Sequence, residues 1–201
     1  FFSGPMDAGS SPAPHVHSGN PSLAPPESKP RSLSTLIMIT RPKADGAGQE
    51  VLLGMKKRGF GEGKWNGFGG KVEEEETITE GAARELKEEA GIEATDLQKR
   101  AVLTFDIATL PRLLEVHVFS ASQFKGTPTE SEEMRPRWFS TDAIPFGEMW
   151  PDDVLWVPLL LDGQSFTGHF AMETDEKTVD HVLRIVPQES LRLCPRCGLP
   201  Q

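Results

Sequence analysis

The sequence predicts an α+β fold, an α/β/α sandwich built around a mixed β-sheet. Three observations carry that expectation. Seven strand-like runs are spread over the chain, two helical segments have recognisable ends, and the strands interleave with just these two helices. The length, 201 residues, is enough for one domain with a sizeable core.

Residues 1–30 are rich in Pro, Ser, Gly and Ala, with little apolar periodicity. Such a segment cannot bury enough apolar surface to order itself, so it is expected to be flexible and removable without loss of activity. It lacks the scattered arginines of a transit peptide, and Met6 within it offers a natural start. A single domain is expected over residues 31–187. Its strand runs are Ser32–Thr40, Glu50–Lys56, Ala101–Ile107, Arg112–Ser120, Arg135–Phe139, Ser165–Met172 and Asp180–Val186. Lys43–Gly48 reads as a turn with Asp45 and Gly46 at its tip.

The first helix is expected from about Ile78 to Ala90. Thr77 to Glu80 has the form of a capping box, and Ile78, Ala82, Leu86 and Ala90 make an apolar stripe. Gly91 sits where a left-handed residue would stop the helix. The second helix is expected from Pro151, a favoured first-turn residue, through Leu161. Residues 188–201 form a second weak tail, punctuated by Cys-Pro and Leu-Pro.

On the first helix, Glu85, Glu88 and Glu89 lie at i, i+3 and i+4 and share one face. Three carboxylates there repel one another, and a solvated acidic face is the plain reading of such a cluster. Here the cluster follows a glycine-rich loop, Gly67, Gly69 and Gly70, whose backbone can approach a ligand closely. Oxygen-rich groups of this kind suit hard cations such as Mg²⁺ or Mn²⁺.

Composition narrows the partners. With 21 basic and 30 acidic residues the net charge is −9, which argues against a nucleic-acid groove. It does not argue against a free nucleotide, because a bound divalent cation reverses the local sign. No apolar run approaches 18 residues, so no membrane span is expected. Cys194 and Cys197 are the only cysteines, which excludes a disulfide framework and fits a reducing compartment. A cytoplasmic location is expected, with nuclear and mitochondrial ones left open. The CPRC pair is half a zinc site at most and reads more simply as an inert tail. No long exposed apolar pattern stands out, so a monomer is expected.

From Gly67 to Ile92 the chain reads GFGGKVEEEETITEGAARELKEEAGI. Gly70, Glu76, Arg84, Glu85, Leu86, Glu88, Glu89, Gly91 and Ile92 are nine fixed positions within 23 residues, and in these the chain resembles the Nudix family of magnesium-dependent nucleotide pyrophosphatases. The resemblance implies the Nudix fold, a metal held by the three helix glutamates, and a carbonyl ligand from Gly69-Gly70. It implies that Arg84 orients the glutamates, with Glu76 as its partner.

The likeness continues in Gly54–Gly61, Trp65–Val72, Glu115–Phe119, Glu133–Pro136 and Met149–Asp153. Over roughly residues 33–186 the chain resembles the animal oxidised-purine nucleoside triphosphate hydrolases of that family. Carried over residue by residue, Glu133 adds a further metal ligand and Asn66 reads the purine edge. Asp152 and Asp153 face the base, Trp150 and Phe60 wall the pocket, and Thr35, Lys56 and Phe105 line it. Ile107 departs from the pattern, which has an aromatic residue there. Read alone, Trp150 could be a core aromatic, Asn66 a turn former, and the aspartates a complement to a helix N-terminus.

The implied reaction is hydrolysis of 8-oxo-dGTP and 2-hydroxy-dATP to monophosphate and pyrophosphate. Glu88 or Glu89 is the proton acceptor, and Lys56 and Arg58 are positive groups at the entrance. Other Nudix substrates remain alternatives: dinucleoside polyphosphates, capped RNA and nucleotide sugars. A silent nucleotide-binding module is disfavoured because no helix glutamate is missing.

Overall fold

In the computed structural model, which describes residues 15–174 and 177–192, the elements follow in chain order. They are β1 (His15–Gly19), β2 (Arg31–Pro42), β3 (Gln49–Lys56), β4 (Trp65–Asn66), α1 (Ile78–Ala90) and β5 (Glu93–Ala94). Then come β6 (Gln98–Ile107), β7 (Leu113–Ala121), β8 (Phe124–Lys125), β9 (Met134–Ser140), α2 (Asp153–Leu161), β10 (Phe166–Thr174) and β11 (Lys177–Ile185).

Period-two alternation fixes the layering. Along β2, Leu36 and Met38 join one buried cluster while Ile37 and Ile39 join another. A strand apolar on both faces must lie between two layers. Trp156, Val157 and Leu160 of α2 cover the first face. Ile78, Ala82, Leu86 and Ala90 of α1, all fully buried, cover the second.

The large sheet runs β1-β11-β10-β6-β7-β2-β3-β4, with β9 also paired to β3. The β2–β7 and β6–β10 pairs are parallel and the others antiparallel, which makes the sheet mixed as expected. All seven sequence-predicted strands are present, with ends displaced by a few residues. The expected turn is held by Lys43 N–H to Gly48 O and Gly46 N–H to Lys43 O, each 3.0 Å. Helix α1 has the predicted bounds, with both capping-box bonds present and Gly91 left-handed at φ 72°.

Two boundaries need correction. Residues 15–30 are not a flexible leader: β1 adds an edge strand to β11. Asn20 Nδ2 donates to Asp180 at 2.8 Å, and Lys29 reaches Asp106 at 2.5 Å. The segment is apolar-poor, so its order comes from backbone pairing and ion pairs, which leave no hydrophobic period in the sequence. At the other end, Gln188–Arg192 forms a short 3₁₀ turn with Leu191 buried. Gln188 Nε2 donates to the Lys99 carbonyl at 2.6 Å. The predicted tail therefore begins as part of the domain; Cys194 and Cys197 lie outside the described residues.

A truncation starting at Arg31 is expected to lower Tm by about 3–10 °C, because it strips an edge strand and its side-chain ties to Asp106, Asp180, His181 and Arg184. Activity at 25 °C should persist, since none of residues 15–30 lines the cavity described below. A melting curve superimposable on that of the full chain would show that β1 contributes nothing.

Candidate active site

The glycine loop is stitched to β2. Phe68 and Ile37 exchange backbone hydrogen bonds of 2.6 and 2.9 Å, and Thr35 N–H donates to the Gly70 carbonyl at 2.8 Å. The approach leaves no room for side chains. A Cβ on Gly69 would lie 2.1 Å from the Thr35 carbonyl oxygen, and one on Gly70 would lie 2.4 Å from Glu85 Oε1. The Glu85 carboxylate therefore rests against the Gly70 backbone. Glu89 reaches the same loop, accepting from Gly69 N–H at 2.9 Å.

Basic side chains divide the acidic groups between them. Lys56 donates to Glu89 and Glu133 at 3.0 Å each, and Arg58 donates to Glu133 at 2.7 Å. Arg84 holds Glu76 bidentately at 3.0 and 2.7 Å, then reaches Glu85 at 2.9 Å and Glu88 at 3.2 Å. Glu76 also caps the loop before α1 by accepting from Glu73 N–H at 2.8 Å. As these side chains stand, no three acidic, His or Cys groups converge to hold a metal ion among the described residues. Each predicted ligand on the helix, and Glu133, is paired with Lys56, Arg58 or Arg84.

The donor set still has the chemistry of a hard-cation site. Burial pushes Glu89 and Glu85 upward, so both carboxylates are poorly solvated and favour a cationic partner. The hydrogen bonds of Arg58 and Lys56 hold Glu133 below its usual range. Burial alone would lower Lys56, but Glu89 and Glu133 outweigh it and pull it up. Arg84 is likewise pulled up, chiefly by its hydrogen bonds to Glu76.

Beside this cluster opens a cavity of about 620 Å³. All eight residues predicted to bind substrate line it: Thr35, Lys56, Phe60, Asn66, Phe105, Trp150, Asp152 and Asp153. Gly69, Gly70 and Glu133 line it too, so the cavity meets the acidic cluster at that end; Glu85 and Glu89 touch this glycine loop without lining the cavity themselves. Ile107, 4% exposed at the end of β6, is part of the apolar wall.

The polar wall is built by the residues around the start of α2. The helix begins at Asp153, two residues later than expected from Pro151. Asp152 occupies the N-cap position but makes no capping bond; its Oδ2 accepts from Trp156 Nε1 at 3.0 Å. Asp153 Oδ2 accepts from the Trp150 N–H at 3.0 Å. Both aspartates are almost fully buried, at 4% and 2% exposure. Burial pushes Asp152 upward, and burial together with the charge of Asp152 pushes Asp153 well above the usual carboxylate range. Two such neighbours are costly to ionise together, which favours one proton between them.

Asn66 is oriented by its own loop, its carboxamide oxygen accepting from Gly67 N–H at 2.8 Å. That leaves the NH₂ end as the group it can offer a ligand. Phe60, 64% exposed, stacks on Trp150 at 4.9 Å and an interplanar angle of 24°. Lys64, Leu114, Met172 and Trp156 also line the cavity, and none was singled out from the sequence. The spacing of Trp156 four residues after Asp152 was the available signal.

Residues 30–160 match the NUDIX domain family. The chain is 52% identical over 154 residues to the mouse protein named oxidized purine nucleoside triphosphate hydrolase, covering 77% of this chain and 95% of that one. It is 48% identical over 151 residues to the zebrafish protein of the same name, covering 75% and 93%. A solved MutT structure from Bacillus halodurans shares the fold, with a TM-score of 0.66 at 24% identity over 76% of this chain and 97% of that one.

Proposed function

The chain belongs to the Nudix family, and on that premise we propose that it hydrolyses oxidised purine nucleoside triphosphates to monophosphate and pyrophosphate, with Mg²⁺ as the metal. One observation carries the substrate class. A buried pair of adjacent aspartates lines the same cavity as Asn66 and Trp150, and that cavity ends at Gly69, Gly70 and Glu133. Such a pair offers one donor and one acceptor, and moving the proton changes which is which. A purine edge altered by oxidation differs from its parent in that donor and acceptor pattern.

Glu85, Glu88, Glu89, Glu133 and the Gly70 carbonyl would hold the divalent ion. When bound, the ion supplies charge neutralisation for the phosphates and an acidified water. Glu89 is the proton acceptor we assign. It is buried, its charge is poorly solvated, and Gly69 N–H and Lys56 fix its two oxygens. Arg84 orients the row of glutamates from behind, anchored by Glu76. Lys56 and Arg58 stand at the phosphate end of the cavity, and Trp150 and Phe60 supply aromatic faces for the base.

The test is kcat/KM on a nucleotide panel with Mg²⁺. 8-oxo-dGTP is expected to exceed dGTP by about 5–150-fold, since a mispaired polar edge costs about 1–3 kcal/mol. Equal efficiency, or preference for a dinucleoside polyphosphate, would reject the sanitising role and leave a Nudix hydrolase of another substrate.

A further inference from the structure

The β3–β4 loop brings one cation to the base end of the cavity. Lys64 is half-buried, and its backbone is fixed at both ends of the peptide unit. Its N–H donates to the Gly61 carbonyl at 3.0 Å, and its carbonyl accepts from Lys56 N–H at 2.9 Å. Its ammonium lies over the Trp150 ring, 5.0 Å from the centroid. Trp150 donates its own N–H to Asp153, so the cation stands beside the residue that is tied to the aspartate pair. We propose that Lys64 is a specificity-determining residue: seated over Trp150, whose N–H is bonded to Asp153, it sets which of the two aspartates holds their shared proton, and so which purine edges the pocket accepts. This inference rests on the base-reading role of the pair.

The charges around the pair are few. Helix α2 contributes the two carboxylates themselves, with Trp156 Nε1 and Trp150 N–H as neutral donors. Strands β6 and β10 present only apolar side chains to this cavity, among them Phe105 and Met172. Lys56, Arg58, Lys71 and Glu133 line the cavity as well, with Lys56 and Arg58 engaged by Glu133. Lys64 is the cation whose field is felt at Asp153, where it opposes the upward push of burial and of Asp152.

The consequence has a definite sign. Burial and the neighbouring charge favour the proton on Asp153. A positive charge nearby works against that and brings the two arrangements closer in energy. The pocket then serves edges that need either arrangement. Without Lys64 the proton settles on Asp153 and is held to higher pH.

The experiment compares Lys64→Met and Lys64→Arg with the parent, measuring kcat/KM against pH for 8-oxo-dGTP and 2-hydroxy-dATP, and Tm for each protein. Lys64→Met keeps the stem and removes the charge. It is expected to move the alkaline limb upward by about 0.5–1 pH unit, equivalent to about a three- to tenfold change in proton occupancy. The ratio of the two substrates should change by a similar factor, in the same direction as in Asp153→Asn, which is a permanent donor. Lys64→Arg should keep the parent profile and ratio. If Lys64→Met matches the parent in both readouts, or if Lys64→Arg is displaced as far as Lys64→Met, the assignment is overturned. A parent enzyme that ignores both oxidised nucleotides defeats the proposed function instead, and that result is visible before any variant is made.

Discussion

Replacing Glu89 by glutamine is expected to lower kcat by about 10²-fold or more, with little change in Tm. The substitution preserves volume at a site that is 3% exposed. The amide oxygen can still accept from Gly69 N–H, so the loop keeps its tie to α1, and Lys56, facing the new NH₂, retains Glu133 as its acceptor. What disappears is the charge that Lys56 faces and the basic oxygen that a proton could join. Glu88→Gln should also reduce turnover, but by less. Glu88 is 59% exposed at its side chain, and it is tied to Arg84 at 3.2 Å, so it is held more loosely. Glu73→Gln, in the loop before α1, is the control and should behave as the parent. The measurement is steady-state kcat at saturating nucleotide and Mg²⁺, paired with thermal melting. Near-parent turnover in Glu89→Gln would remove Glu89 from the chemistry, whatever its geometry suggests.

The parts of this molecule that were legible in the sequence share a physical property: they are local. The capping box at Thr77, the stripe from Ile78 to Ala90 and the stop at Gly91 need only neighbours within a few residues, and α1 has the bounds they imply. The main strands could be read because each carries its own alternation or apolar run. Strand β1 could not be read, because its order depends on partners 160 or more residues away: Ile185 opposite His15 and Asp180 bonded to Asn20. Strands β4, β5 and β8 are two residues each, too short to show any period.

The candidate site divides along the same line. Which residues line the cavity came from residue-by-residue resemblance, and the eight positions do meet in one cavity. Their charge partners did not come from it. Lys56 bridging Glu89 and Glu133 joins residues 33 and 77 positions apart, and no motif encodes that bridge. Asp152 is a sharper case. A Pro-Asp-Asp at a helix start reads as electrostatic capping, yet the side chain turns to Trp156 instead. That choice depends on burial, because the indole N–H of Trp156, 1% exposed, needs an acceptor within the protein.

Asp152→Asn and Asp153→Asn are expected to differ sharply on one substrate, and the two tryptophans determine how. Each aspartate has one oxygen already claimed: Asp152 by the Trp156 indole N–H, Asp153 by the Trp150 backbone N–H, both at 3.0 Å. An asparagine at either place must give its single oxygen to that donor, because two facing N–H groups would leave both unsatisfied. Its NH₂ is therefore forced toward the cavity. At position 153 this imitates the protonated acid, the arrangement that burial and the neighbouring charge favour. Asp153→Asn should accordingly be mild for the oxidised purine read by that arrangement. At position 152 the same rotation replaces an acceptor by a donor. Asp152→Asn should lower kcat/KM for that purine by about 5–150-fold, the equivalent of about 1–3 kcal/mol for one unsatisfied pair. An oxidised purine with the opposite edge pattern should reverse the order of the two variants. Metal dependence should not move, since neither carboxylate belongs to the glutamate cluster. The check is kcat/KM for both variants on 8-oxo-dGTP and 2-hydroxy-dATP at one pH and Mg²⁺ concentration. If both variants match the parent on both nucleotides, the aspartates serve only the packing of α2 against Trp150 and Trp156, and the base is read elsewhere in the cavity.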